Sequence, residues 1–390
     1  MQSDRYTWNP REQAKRDLQG RGRLGPPSSC VHARRLQITG RIEPSAIVPS
    51  QRKQPKALGA TLDLDQPNAL VVFAAAALAL AAAIGLADMA GYTRLVDAVK
   101  HLVPIWFAAC FAGEVVAYCG YVLAVRDLAR MDGGPLLSLR LSMRTVVAGF
   151  GVFAATHAAG GFSVDYWTFR RSGLRRREAV ARVIALGALE YAVLAPAALI
   201  CAVVILFGTG GHVQHAMTYP WLAVVPGLLV ALWLSSPNRA ERLSDPGSGG
   251  RVRRWFANAV AGISRLRRML VRPRVHGLGI AGVSLYWVGD IACLWAALRI
   301  YNTEISIPAL VLAYATGYIL TRRSLPAGGA GLVEVLMTFA LIWVGVALAP
   351  ALLAVVTYRL FNFWFPVIPA LAAVRHMRHE FRRADNVHRP

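Results

Sequence analysis

Apolar residues run almost unbroken from Ala69 to Val374, cut into blocks by short polar or basic stretches. A helix needs roughly 20 apolar residues to cross a bilayer. Blocks of that kind lie at Ala69–Ala87, Leu102–Val125, Ala179–Phe207, Tyr219–Ser235, Gly277–Leu298, Leu332–Ala349 and Ala351–Val374. Three further blocks, Thr145–His157, Phe162–Phe169 and Ile307–Thr321, are short, interrupted by glycine, or followed at once by arginines. Lipid offers no water to bond backbone N–H and C=O groups, so apolar spans of this type are helical. The pattern predicts an all-α, polytopic integral membrane protein of about 8–10 membrane segments, the short blocks forming two re-entrant or broken helix pairs.

The polar stretches between the blocks differ in charge. Basic ones, at Arg126–Arg144, Arg170–Arg182, Ser236–Val275 and Arg322–Arg323, alternate with poorly basic ones at Asp88–His101, Gly208–Thr218 and Arg299–Ser306. Of the 43 Lys and Arg, 12 fall in the first 60 residues, 27 in the basic set with the C-terminal tail, and three in the opposite set. That asymmetry follows the positive-inside rule and places both ends in the cytoplasm of a bacterial inner membrane. It also changes the reading of the net charge of +22, which would otherwise point to a nucleic-acid partner. With 55% hydrophobic and 16% charged residues, a soluble fold is excluded.

Residues 1–66 scatter Pro, Gly, Ser and Arg without period, and such a segment is expected to be a disordered basic tail. A membrane domain follows at 67–374, with halves at about 67–207 and 219–374, and then a basic cytoplasmic tail at 375–390. The two halves share a repeat. "GFGVFAATHAAGG" from Gly149 matches "GYILTRRSLPAGG" from Gly317, pairing Gly160-Gly161 with Gly328-Gly329. The segment from Gly173 then matches the one from Gly345, and Gly113-Glu114 echoes Gly289-Asp290. Five segments in each half make the repeat inverted, a pattern found in transporters whose site lies near the midplane between broken helices.

Arg359 is the one basic residue deep inside an expected span, and the acids so placed are Glu114, Asp165, Glu190, Asp290 and Glu334. A charge at the centre of a membrane helix costs about 2.5–3.5 kcal/mol on insertion scales, so it faces a protein interior or a wet cavity with a partner. For Arg359 that partner is a protein acid, with Glu334, Glu190 and Asp290 as candidates, or an anionic ligand. The densest constellation is "RRSLPAGGAGLVE", Arg322 to Glu334, with "YRLFNFWFP", Tyr358 to Pro366. Proline and paired glycines break a helix and free N–H groups at the start of the next, where an anion is favoured. Arg322 and Arg323 beside it complete a phosphate cradle, or mark the cytoplasmic boundary alone.

The pattern R-x-x-P-x-G-G-x-G-x-x-E followed by Tyr-Arg before aromatic and proline residues resembles the membrane domain of lysylphosphatidylglycerol synthases and their stand-alone flippase-like relatives. The likeness spans roughly Ala69 to Val374 and is most specific between Arg323 and Pro366. It implies roles for Arg323, Pro326, Gly328, Gly329, Gly331, Glu334, Arg359 and Asn362 in a lipid-handling cavity. In the first half the family shows a Pro-Gly-Arg-like break, whereas "THAAGG" here has His157 and no proline. The aminoacyl-transferase domain of the full-length synthases is not expected after Val374.

Other chemistry finds little support. The five cysteines form no C-x-x-C pair, so they read as packing residues rather than zinc ligands or disulfides. "GLGIAG" from Gly277 opens a membrane helix and serves helix packing rather than a dinucleotide. His212-x-x-His215 has no carboxylate or cysteine nearby in sequence. No metal, cofactor or enzymatic site is expected. The expected partners are membrane lipids, an anionic phospholipid or polyprenyl-linked lipid, and no nucleic acid. The function is expected to be translocation or accommodation of that lipid head group, by Arg322, Arg323, Pro326, Gly328, Gly329, Gly331, Glu334, Arg359, Asn362, Glu114, Glu190 and Asp290. The alternative is a membrane scaffold for a separately encoded glycosyl- or acyl-transferase.

Overall fold

Two long helices, α3 (Ile105–Arg130) and α10 (Pro273–Ile300), form the most extensive contact in the structure. Each carries glycines seven residues apart, Gly113 and Gly120 on one and Gly282 and Gly289 on the other. Seven residues make about two turns, so each pair shares a helix face. A Cβ added to Gly120 would stand 2.5 Å from the carbonyl oxygen of Gly282, and one added to Gly282 would stand 2.6 Å from that of Gly120. Gly113 and Gly289 repeat the relation at 2.7 and 2.5 Å. In a membrane, where apolar burial does not drive helices together, this backbone approach supplies the packing.

The computed structural model describes residues 69–155, 160–208, 215–234, 236, 238, 251–271, 273–318, 329–370 and 372–373, and every regular element among them is helical. The chain divides after Ala57, and all described residues belong to the unit Leu58–Pro390. The tails expected at 1–66 and 375–390 lie outside the described residues.

Before α3 come α1 (Ala69–Ala90) and the short α2 (Tyr92–Lys100). After it come α4 (Leu139–Ala155), α5 (Gly160–Arg171), α6 (Arg176–Phe207), α7 (Tyr219–Leu222), α8 (Val224–Leu234) and α9 (Arg251–Val271). α10 is followed by α11 (Ile307–Tyr318), α12 (Leu332–Trp343) and α13 (Leu348–Arg359). α13 passes into a π-helical turn at Leu360–Trp364 and runs on as an apolar helix to Ala370.

Among the described residues, five stretches are long and apolar enough to cross a membrane: Phe73–Ala90, Ile105–Gly133, Arg176–Phe207, Gly277–Ile300 and Leu348–Ala370. Large apolar side chains on them stand exposed, among them Phe73, Phe207, Val288 and Ile368, as lipid-facing positions should. Two packed pairs are made by the three short blocks together with α12, the shortened helix of the block Leu332–Ala349. α4 meets α5, where the buried hydroxyls of Thr145 and Thr168 bond at 3.0 Å. α11 meets α12, where a Cβ on Gly317 would stand 2.7 Å from the Cα of Met337.

Several boundaries differ from the sequence expectation. The block Tyr219–Ser235 is divided into α7 and α8. The block Leu332–Ala349 ends at Trp343, where Gly345 with φ +97° turns the chain toward α13. The polar stretch Asp88–His101 contains α2, and the basic stretch Ser236–Val275 contains α9. α9 is amphipathic: Ala257, Val260, Leu266 and Met269 are buried while Arg253 and Arg268 are exposed. It packs chiefly on α6, Gly262 against Ile184. Polarity summed over the segment hid an apolar stripe that only helical periodicity reveals.

One arginine assigned to a basic loop is a core residue. Arg182 is 2% exposed, and its Nε donates to the carbonyl of Leu128 at 3.1 Å and its Nη2 to that of Met131. It therefore satisfies carbonyls at the end of α3, where a cation is favoured. Next to it Asp132, at φ +52°, pairs with Arg265 at 3.5 Å and Arg268 at 3.2 Å. Burial pulls the Arg265 guanidinium below its ordinary pKa, and the Asp132 carboxylate opposes that shift.

Gly120→Ala is expected to cost about 1–3 kcal/mol by overpacking the crossing, lowering the thermal unfolding midpoint of the purified protein in detergent. Gly227→Ala, where nothing lies within 4 Å of the new Cβ, should leave that midpoint in place. Equal midpoints for the two variants would disprove a tight crossing.

Candidate functional site

The close approach of α3 and α10 sets two acids against each other. Glu114 and Asp290 each follow a contact glycine, Gly113 and Gly289. Both are buried, and the Glu114 carboxyl lies against Asp290, with Asn362 and Cys293 as further polar neighbours.

Asp290 is held by donors from three helices. Tyr286, one turn earlier on α10, donates to Oδ2 at 3.3 Å, and Tyr314 of α11 donates to the same oxygen. Tyr358 of α13 donates to Oδ1 at 2.9 Å, and Nδ2 of Asn362 donates to it at 2.7 Å. In a regular α-helix residues four apart share a face, and the π turn that begins at Leu360 keeps Asn362 on the side of Tyr358. Inserted π turns of this sort are frequent at functional sites.

Arg359, the next residue after Tyr358, carries a second polar centre. Its Nε donates to Oε1 of Glu334 at 2.9 Å, with side chains 2% and 3% exposed. Its guanidinium carbon lies 4.3 Å from the centre of the Phe363 ring, a cation–π contact. The other oxygen of Glu334 accepts the backbone N–H of Gly331 at 2.7 Å, at the start of α12. One carboxylate thus closes a helix N-terminus and neutralises Arg359. Among the acids weighed from sequence, Glu334 takes the Arg359 Nε, while Asp290 takes tyrosine hydroxyls.

The glycines of the break are required by geometry. Gly329 and Gly331 have φ of +68° and +86°, which side chains rarely adopt. A Cβ on Gly331 would also meet the Leu78 carbonyl at 3.1 Å. The expected attraction of an anion to this N-terminus is met in the structure by the protein's own Glu334. Arg322, Arg323, Pro326 and Gly328 lie outside the described residues, as do His157 and His212.

Glu190 is buried on α6. Its backbone carbonyl accepts the Trp287 indole N–H at 3.0 Å, which ties α6 to the helix of Asp290. Asp165 is buried on α5. Sequence reading missed Tyr286 and Tyr314; the spacing Tyr286-x-x-x-Asp290, one helical turn, was the available signal for the first. Tyr314 carried none, because its partner lies on another helix. Among the described residues, no three His, Cys, Asp or Glu side chains gather as metal ligands.

A family model described as the lysylphosphatidylglycerol synthase TM region matches residues 69–370, well over half of the chain. A comparison with curated proteins gave no match.

Glu334→Gln keeps an oxygen for the Gly331 N–H but removes the charge facing Arg359, at an expected cost of about 3–5 kcal/mol. Arg359→Gln should cost a similar amount, and the double variant less than the sum, since the partners are coupled. Chemical unfolding of the purified variants measures this; a Glu334→Gln protein as stable as wild type would show that the pair does not neutralise Arg359.

Proposed function

The chain belongs to the lysylphosphatidylglycerol synthase transmembrane-region family, which links it to lipid modification or transport, and from that premise we propose that it moves or accommodates an anionic lipid head group across the membrane. The observation that supports this is the buried Arg359–Glu334 pair beside the tyrosine-held Asp290. Replacing a buried ion pair with apolar residues is often neutral or stabilising, so its presence in a membrane interior calls for a use beyond stability. A guanidinium presents a planar fork that matches phosphate as well as carboxylate. Arg359 would exchange Glu334 for the phosphate of a phospholipid or polyprenyl-linked lipid, with Arg322 and Arg323 at the boundary of the route.

The reciprocal pairing of Gly113 with Gly289 and Gly120 with Gly282 favours an inverted repeat, with Glu114 and Asp290 as equivalent positions. On this reading both termini face the cytoplasm of a bacterial inner membrane, and the protein works without a cofactor or covalent chemistry of its own. Cysteine-accessibility mapping tests the arrangement: Gly151–Ala155 and Ile319–Arg323 should react from opposite sides, and labelling from one side would overturn it.

A scaffold for a separately encoded transferase is the second reading, favoured by the exposed Arg253 and Arg268 on α9. Anionic lipid attracts such a helix more simply. Stoichiometric co-purification of an enzyme would support the scaffold.

Transport is tested with purified protein in liposomes carrying a head-group-labelled anionic lipid. Arg359→Lys keeps a charge for Glu334 but loses the fork. Since a hydrogen bond to a charged group contributes about 1.5–3 kcal/mol, translocation should fall about ten- to a hundredfold while stability stays near wild type. A well-folded Arg359→Lys variant with the normal rate would remove Arg359 from the site.

A further inference from the structure

The exchange at Arg359 makes no use of the buried Glu114. Glu114 is 6% exposed, and its Oε1 has no hydrogen-bond partner among the described residues. Gly113 and Gly289 meet at the crossing, and the residues that follow them place the buried Glu114 carboxyl beside that of Asp290. Two ionised carboxylates have only lone pairs and cannot bond each other. Two carboxylates side by side in a buried site also repel, so the arrangement calls for a proton. The oxygens of Asp290 already accept from Tyr286, Tyr314, Tyr358 and Asn362, which leaves Glu114 to carry it.

We propose that Glu114 and Asp290 form a proton-binding site at the crossing of α3 and α10, and that the site releases and rebinds one proton as the anionic lipid moves. The coupling rests on the transport reading above; the bound proton does not. In release, the O–H bond of Glu114 breaks, its electron pair stays on the carboxylate, and the proton passes to water. A head group held at Arg359 adds negative charge beside the acids. Deprotonation is then costlier, so lipid and proton bind together, each favouring the other to the same degree.

The groups facing this contact fit a proton better than a metal cation. α10 supplies Asp290, Tyr286 and Cys293, α11 supplies Tyr314, and α13 with its π turn supplies Tyr358 and Arg359. α12 adds Glu334 through Arg359, α6 stands behind Trp287 with Glu190, and α3 itself carries Cys110, bonded to the Cys293 carbonyl. α4 presents Phe150, which stacks on Tyr118 and Tyr121 of α3 and does not titrate. A sodium ion requires oxygen acceptors turned toward it, whereas the amide and hydroxyls here donate to Asp290.

Infrared spectroscopy of the full chain in nanodiscs tests the site. The expected result is a protonated-carboxyl C=O band at neutral pH that shifts in D2O and is lost in Glu114→Gln. Absence of the band from wild type, or its survival in Glu114→Gln, would overturn the proposal. A wild-type titration with sodium chloride is independent of how the variant folds: a band unmoved by sodium supports the proton, and its loss at constant pH assigns the site to a metal cation and overturns it. Coupling is read in phosphatidylglycerol-containing liposomes with a pH dye trapped inside. With one proton per lipid, a one-unit gradient should shift the lipid distribution about tenfold, lipid and proton moving in the same direction. Wild-type protein that moves lipid regardless of the gradient would overturn the coupling and leave transport standing. Wild-type protein that shows the band but moves no lipid would overturn transport, and with it the coupling, and leave the proton site standing.

Discussion

The backbone approach of α3 and α10 is the constraint on which the rest of the membrane domain depends. Gly113, Gly120, Gly282 and Gly289 let two helices meet with their carbonyl oxygens at the distance of a missing methyl group. Because the pairing is reciprocal, residues that follow the glycines meet as well. Glu114 and Asp290 are thereby brought together in the interior, and every helix that supplies a donor to Asp290 is placed by packing around this pair. Bulkier residues at the crossing would separate the helices and the acids with them.

Charge inside the domain is neutralised in three different ways. Arg182 is spread over the carbonyl ends of α3. Arg359 faces Glu334, which at the same time closes the first turn of α12. Asp290 is satisfied by phenolic hydroxyls and an amide. The first is a helix-end device and the second an ion pair. The third is a carboxylate held by neutral donors. The two interior centres adjoin because Tyr358 serves one and Arg359 the other, so a change at either is felt across a single peptide bond.

The break before α12 and the π turn after Arg359 work together. Positive φ at Gly329 and Gly331 brings the chain into α12 in the orientation that lets Glu334 reach back to Gly331 N–H and across to Arg359. The π turn brings Asn362 back beside Tyr358. Irregular backbone at membrane depth is tolerated where protein buries it, and these two irregularities lie where the polar groups are concentrated.

The long apolar blocks and the cost of each interior charge were legible in the sequence, because hydropathy and insertion energy are properties of a residue and its near neighbours. For the same reason the motif from Gly329 to Glu334 and the Tyr358-Arg359 pair stood out, and the family followed from them. The sequence could not say that Arg182 leaves its run of arginines for the end of α3, that α9 is a helix with a buried stripe, or that Glu334 rather than Glu190 or Asp290 meets the Nε of Arg359. Nor could it place Tyr314 on Asp290. Those facts depend on which helix faces which, and a helix that is apolar all round gives no local clue to its neighbours. Only the tertiary contacts decided them: α9 against α6, Arg182 at the end of α3, α13 beside α12, and the donors gathered around Asp290.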